Sequence, residues 1–144
     1  MADPITFHTL TATNADVLRG ADVFDNPVDA IQLARFVAED SHLMVFAMAG
    51  QRVIGFASGA ILYHPDKAPA FFVNEVDVTP DHQRQGIATA LCQRLFEAAR
   101  TAGAQGIWLA TEADNVPARA LYRRLKARET TGNVVYDWDG AMDV

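Results

Sequence analysis

The chain has 144 residues, half of them hydrophobic and 21% charged, which suffices for one soluble domain spanning residues 1–144 with a single core. A net charge of −6 argues against a nucleic-acid partner, which needs a basic face, and Cys92, the one cysteine, excludes an internal disulfide and a cysteine-based zinc site, so no metal is expected. No apolar run is long enough to span a bilayer and the start lacks a charged-then-apolar signal, so no membrane is expected and cytoplasmic residence is the default.

Ile5 to Thr9 alternates apolar and polar residues and reads as a first strand. Thr11 or Thr13 caps a helix toward Phe24, broken by Asp25-Asn26-Pro27. Pro27 opens a second helix with an apolar face of Ile31, Leu33, Ala34, Phe36 and Val37. Leu43 to Ala49 and Arg52 to Tyr63 form a hairpin around Gly50-Gln51, with Gly55 and Gly59 hinting at a bend or bulge. Phe71 to Val78 is the strongest strand. A helix from Gly86 to about Ala102 carries Ile87, Leu91, Leu95 and Ala98 at helical spacing, and Cys92 within it reads as a small buried hydrophobe. Ile107 to Ala110 follows as a buried strand, Asp114 caps a helix reaching Lys126, and Arg128 to Asp137 gives a final hairpin around Gly132-Asn133. This order fits an α/β or α+β sheet covered by helices.

The segment from Val76 to Leu91 runs strand, polar loop, helix. Such a loop turns backbone N–H groups toward one point, and the helix start adds free donors and the positive end of its dipole. Phosphate or pyrophosphate suits that seat, with Arg84 and the amides of Gln83 and Gln85 closing over it. The P-loop lysine is absent, and so are two of the three glycines of the dinucleotide fingerprint. An ordinary loop-to-helix junction is the plain alternative. Upstream, Glu75 and Asp77 share one face of the strongest strand. Their mutual repulsion raises the proton affinity of at least one, which suits a general base near neutral pH. The alternative is a solvated face or pairing with Arg119, Arg123 or Arg124. His82 neighbours the loop, while His8, His42 and His64 show no partner pattern.

Gln83, Gly86 and Ala88 match Gln/Arg-x-x-Gly-x-Gly/Ala, and Asn115 to Tyr122 reads Asn-Val-Pro-Ala-Arg-Ala-Leu-Tyr. The first element resembles the acetyl-CoA loop of the GNAT N-acetyltransferases, and the second is similar to that family's Asn-x-x-Ala-x-x-Leu-Tyr helix. The two occur in the family's order, and the resemblance covers roughly residues 43 to 131. It implies a mixed, mostly antiparallel sheet splayed between strands 4 and 5, flanked by about four helices, with acetyl-CoA in the opening. The cofactor side would be Gln83, Arg84, Gln85, Gly86, Ile87, Ala88, Thr89 and Asn115. Backbone groups of Val76, Asp77 and Val78 would pair with the pantetheine arm, and one N–H would stabilise the oxyanion. Glu75 would be the base, directly or through a water, and Tyr122 the proton donor to the leaving sulfur. Tyr122 as a core tyrosine and Asn115 as a plain helix cap are the alternatives.

Within the family, the run His82 to Leu91 and the run Pro117 to Tyr122 resemble the small aminoglycoside 3-N-acetyltransferases. That likeness implies a small cationic amine as acceptor, and Glu112 matches one of that group's acidic positions. A polycation needs carboxylates at the mouth of its site; Asp25, Asp29, Glu112, Asp137 and Asp139 are the candidates, with ordinary surface acids as the plain alternative. Departures fall on the acceptor side: the loop Tyr63 to Ala70 lacks a charged run, and Asn74 replaces a tyrosine. Another amine (polyamine, small metabolite or protein amino group) and a non-catalytic CoA-binding module are the competing readings. A homodimer is an expectation by analogy.

Overall fold

The computed structural model describes residues 2–138 and Gly140, so Asp139 lies outside the described residues. The chain forms two compact units, one ending at Ala110 and one starting at Thr111.

The first unit is built on a five-stranded sheet in sequence order: β1 (Ile5–Thr9), β2 (His42–Ala49), β3 (Arg52–Leu62), β4 (Ala70–Val78) and β5 (Gly106–Trp108). The first four strands are antiparallel, and β5 runs parallel to β4. That pairing covers only Ala70 to Phe72 against Gly106 to Trp108. Beyond Phe72 the two strands part, as the mixed splayed sheet requires.

Each sheet face buries a helical layer. The helix α2 (Ile87–Thr101) lays Leu91, Leu95 and Ala99 on Val45, Ile54, Ala57 and Phe71. On the opposite face, α1 (Ala30–Ala38) and a 3₁₀ turn (Ala15–Leu18) bring Leu33 and Leu18 onto Phe46 and Phe56. Phe24 closes on Phe56 with ring centroids 4.3 Å apart. Cys92 is fully buried on α2, and that burial pushes its thiol up to about 11, so it stays an unreactive packing residue.

The helices near the N-terminus differ from the pattern reading. The expected helix toward Phe24 shrinks to the 3₁₀ turn, because Asn14 rather than a threonine organises the chain. Its side chain accepts from the Thr11 N–H at 2.8 Å and donates to the Thr9 carbonyl at 2.9 Å. The next helix starts at Ala30, three residues past Pro27, because the Asp29 carboxylate caps it by accepting from the Ile31 and Gln32 N–H groups, both at 2.9 Å.

One irregularity in β4 decides what the sheet presents. Ser58 pairs with Glu75 and Gly59 with Val73, so Asn74 is an extra, unpaired residue. The bulge keeps Phe71, Val73, Val76 and Val78 all on the α2 side. Phe72, Glu75 and Asp77 consequently share the α1 side. Gly59, opposite the bulge, has no room for a side chain: a Cβ there would overlap the Phe72 carbonyl oxygen and lie 2.6 Å from the Phe71 ring. Gly59→Ala is expected to cost about 1–3 kcal/mol, read as a lower midpoint in urea unfolding at unchanged slope. An unchanged midpoint would show that the bulge relaxes freely.

The second unit contains α3 (Val116–Arg124), capped by Asn115 rather than Asp114. The Asn115 side chain accepts from the Ala118 N–H at 3.2 Å, and Lys126, at φ 64, lies past the helix end. Glu129 takes Arg119 at 3.2 Å and Arg123 at 2.9 Å, and these guanidinium bonds hold its carboxyl down at about 2. The hairpin expected over Arg128 to Asp137 does not form among the described residues. Val134, Val135 and Tyr136 carry strand-type side chains but are 72–79% exposed, and a lone two-stranded hairpin has too little to bury. Among the described residues, three α-helices and two 3₁₀ turns stand where about four helices were expected.

Candidate active site

The loop after β4 is braced from below. Thr79 is buried and its N–H donates to the Ile54 carbonyl at 2.8 Å. A 3₁₀ turn follows over Pro80–His82. Arg52 reaches from β3 to Asp81 at 2.8 Å and to Asp22 at 3.4 Å. The Arg52 hydrogen bond holds the Asp81 carboxyl far below the usual carboxylate range. The Gln83 amide donates to the Val78 carbonyl at 3.1 Å, tying the loop back to its strand. Gln83 thus acts as a brace in this structure, where the pattern reading placed its side chain over an anion.

Arg84 at φ 63 and Gly86 at φ 79 both adopt the left-handed conformation. Left-handed residues of this sort curl successive N–H groups into an anion-binding concavity. Gly86 is the N-cap of α2, and no side chain caps the helix there. The donors of the first turn therefore remain for an anion, and the space where a Cβ of Gly86 would sit is open for 4 Å. These residues fit a diphosphate. Arg84 and Gln85 are exposed at the rim, Ala88 and Thr89 are half-buried, and Ile87 points into the core, leaving only its backbone for a ligand.

Of the three β4 positions assigned to backbone pairing, Val78 already has its N–H engaged by the Asp77 carboxylate at 2.9 Å. That bond lowers the Asp77 pKa, but burial, the larger effect, raises it. Glu75 sits on the α1 side, in the wall of a cavity of about 240 Å³ that also involves Phe24, Asp25, Leu33, Phe36 and Met44. Glu75 is exposed overall, yet partial loss of water pushes its carboxyl above the ordinary glutamate value, and Asp25 and then Asp77 add to the rise. The sequence reading named Asp77 as the perturbing charge and missed the larger effects. The sequence reading offers Asp25 to the substrate, and nothing local links it to a strand about fifty residues later. Asp29 also lines the cavity, but its carboxylate is committed to capping α1.

In the second unit, Asn115 caps α3 and also donates to the Thr111 hydroxyl at 3.3 Å. Tyr122 is half-buried on the same helix, and Glu112 and Asp137 are exposed. Arg119 and Arg123 both pair with Glu129 within this unit. Among the described residues, no group of three or more His, Cys, Asp or Glu could hold a metal ion, and no helix is long and apolar enough to cross a membrane.

A family model described as "Acetyltransferase (GNAT) family" matches residues 11–126. A [ribosomal protein bS18]-alanine N-acetyltransferase of Escherichia coli is 38% identical over 66 residues, which is 46% of this chain and 43% of that protein. The match thus spans less than half of that relative. Among solved structures, aminoglycoside N-acetyltransferase AAC(6')-Iy in complex with CoA superposes with a TM-score of 0.78 at 21% identity, covering 96% of each chain. An aminoglycoside acetyltransferase from an uncultured soil metagenomic sample gives a TM-score of 0.75 at 21% identity, covering 94% of this chain and 99% of that one. At these identities the structural likeness speaks for the fold.

Proposed function

The chain belongs to the acetyltransferase (GNAT) family, and on that premise we propose that it transfers an acetyl group from acetyl-CoA to the amino group of a small cationic acceptor. The observation that carries this reading is the placement of Glu75: a carboxylate of raised proton affinity in a cavity wall, on the strand that leads into the anion-binding loop. An acceptor amine arrives as an ammonium ion and must lose a proton before it attacks. Asp25 and Asp77 attract the cation, and Glu75 takes the proton, directly or through a water. The loop from Gln83 to Thr89 holds the diphosphate of the thioester carrier, and the free edge of β4 past Phe72 takes its pantetheine arm. Tyr122 as donor to the leaving thiolate and Asn115 as a pantetheine contact rest on the sequence pattern of residues 115–122. The family match over residues 11–126 includes parts of both units, which supports reading them as one catalytic domain.

For the acceptor, the proposal is an aminoglycoside acetylated at the 3-amino position, on the strength of the His82 to Leu91 and Pro117 to Tyr122 runs. A second reading, a protein α-amino group, is favoured by the identity to the ribosomal-protein acetyltransferase. The test is release of the CoA thiol with neamine, spermidine and an alanine-terminated peptide, and Cys92 is too buried to contribute background. Release with neamine and a product acetylated at the 3-amino group is the expected result. Release with the peptide alone would transfer the assignment to the second reading. CoA binding without release for any amine would leave a non-catalytic binder.

A further inference from the structure

An aromatic surface lies beside Glu75 on the same sheet face. Because Asn74 is taken up by the bulge, Phe72 and Glu75 pair with Ala60 and Ser58, residues two apart on β3. They are therefore successive side chains on one face, about 7 Å apart along the strand. Trp108 pairs with Phe72 across the β4–β5 ladder, and the two rings meet at 4.5 Å between centroids with 40° between their planes. Trp108 remains 52% exposed. In the other direction from Glu75 comes Asp77, and Asp25 approaches from the helical layer closely enough to act on Glu75 electrostatically. One face thus carries, in a row, an open aromatic surface, the proposed base, and further carboxylates.

We propose that Phe72 and Trp108 form the platform for the acceptor's body, and that the body is a saturated ring bearing several ammonium groups. The inference rests on the amine-acetyltransferase reading and deepens it by specifying the acceptor's shape. The electron-rich indole face attracts ammonium groups and the polarised C–H groups beside them. A ring covers that face with its own flat side at little conformational cost, whereas an acyclic chain must be immobilised to do so. With the ring on Trp108, one amino group meets Glu75 while Asp25 and Asp77 balance the remaining charge.

The chain has two tryptophans, Trp108 and Trp138, so Trp138→Phe leaves Trp108 as the sole indole reporter. Titrating that variant with neamine should give a saturable change in emission, and spermidine, an acyclic polyamine, should give none. In turnover, Trp108→Ala should reduce the ratio of kcat/KM for neamine over that for spermidine by about tenfold, mainly through KM. Equal emission responses to the two amines, or no response to neamine, would overturn the platform. Should no amine release CoA, the acetyltransferase reading fails, and the emission titration still decides whether Trp108 receives a ring. The emission arm also stands if Trp108→Ala does not fold.

Discussion

Glu75→Gln is expected to lower kcat by at least about tenfold, with CoA affinity unchanged, while the folded protein becomes more stable at neutral pH. The two effects have one origin. General bases contribute about 10²–10⁴-fold, and an amide of the same shape accepts no proton from an ammonium ion. The folded state raises the Glu75 pKa through burial and through Asp25 and Asp77. A group whose folded pKa is raised contributes stability below its unfolded pKa, and that contribution is lost as pH rises through the folded value. At neutral pH the ionised carboxylate therefore burdens the fold, and glutamine removes the burden. Thermal unfolding of the two proteins should converge under acid conditions and separate, with the variant above, as pH rises past the ordinary glutamate range. For catalysis the sign is opposite. Wild-type kcat/KM falls as pH drops through the raised value, and the residual activity of the variant lacks that limb. Full activity in Glu75→Gln would remove Glu75 as the base, and lost CoA affinity would mean the substitution had disturbed the strand instead.

The strand, the loop and the helix that frame the site were readable because their signals are local. Alternation marks β4, glycine marks the junction, and Ile87, Leu91 and Leu95 repeat on one helical face. The bulge at Asn74 was visible only indirectly, through Gly59 on the neighbouring strand, because nothing about an asparagine announces an unpaired position. Yet the bulge sets Phe72 next to Glu75. The approach of Asp25 to Glu75 is a long-range consequence of packing α1 and its preceding loop onto the sheet, and no local pattern encodes it. The Asp29 carboxylate illustrates the converse: it looked available for a substrate, but it serves the two N–H groups two and three residues ahead. The expected terminal hairpin failed for a different reason. Val134 to Tyr136 have strand propensity, but propensity counts only where a face is buried, and theirs is open.

Gly86→Val is expected to weaken CoA binding by at least about tenfold and to destabilise the protein by about 1–2 kcal/mol. The structure separates two causes that the sequence could not. Apart from its two chain neighbours, no heavy atom lies within 4 Å of where a Cβ would project, so a Cβ there meets no clash with the rest of the chain. What the position demands is a φ of 79°, which a β-branched residue adopts only under strain. Relieving that strain would rotate the loop's N–H groups away from the diphosphate seat, and the valine would also occupy the open space the ligand needs. Asparagine tolerates the left-handed region, so Gly86→Asn keeps the loop's shape while still filling that space. Stability should accordingly recover in Gly86→Asn, read by chemical unfolding. CoA affinity, read by titration calorimetry, should stay reduced if the open space belongs to the ligand, and recover if loop shape alone matters. Unaltered affinity in Gly86→Val would place the diphosphate elsewhere and detach the loop from the proposed chemistry.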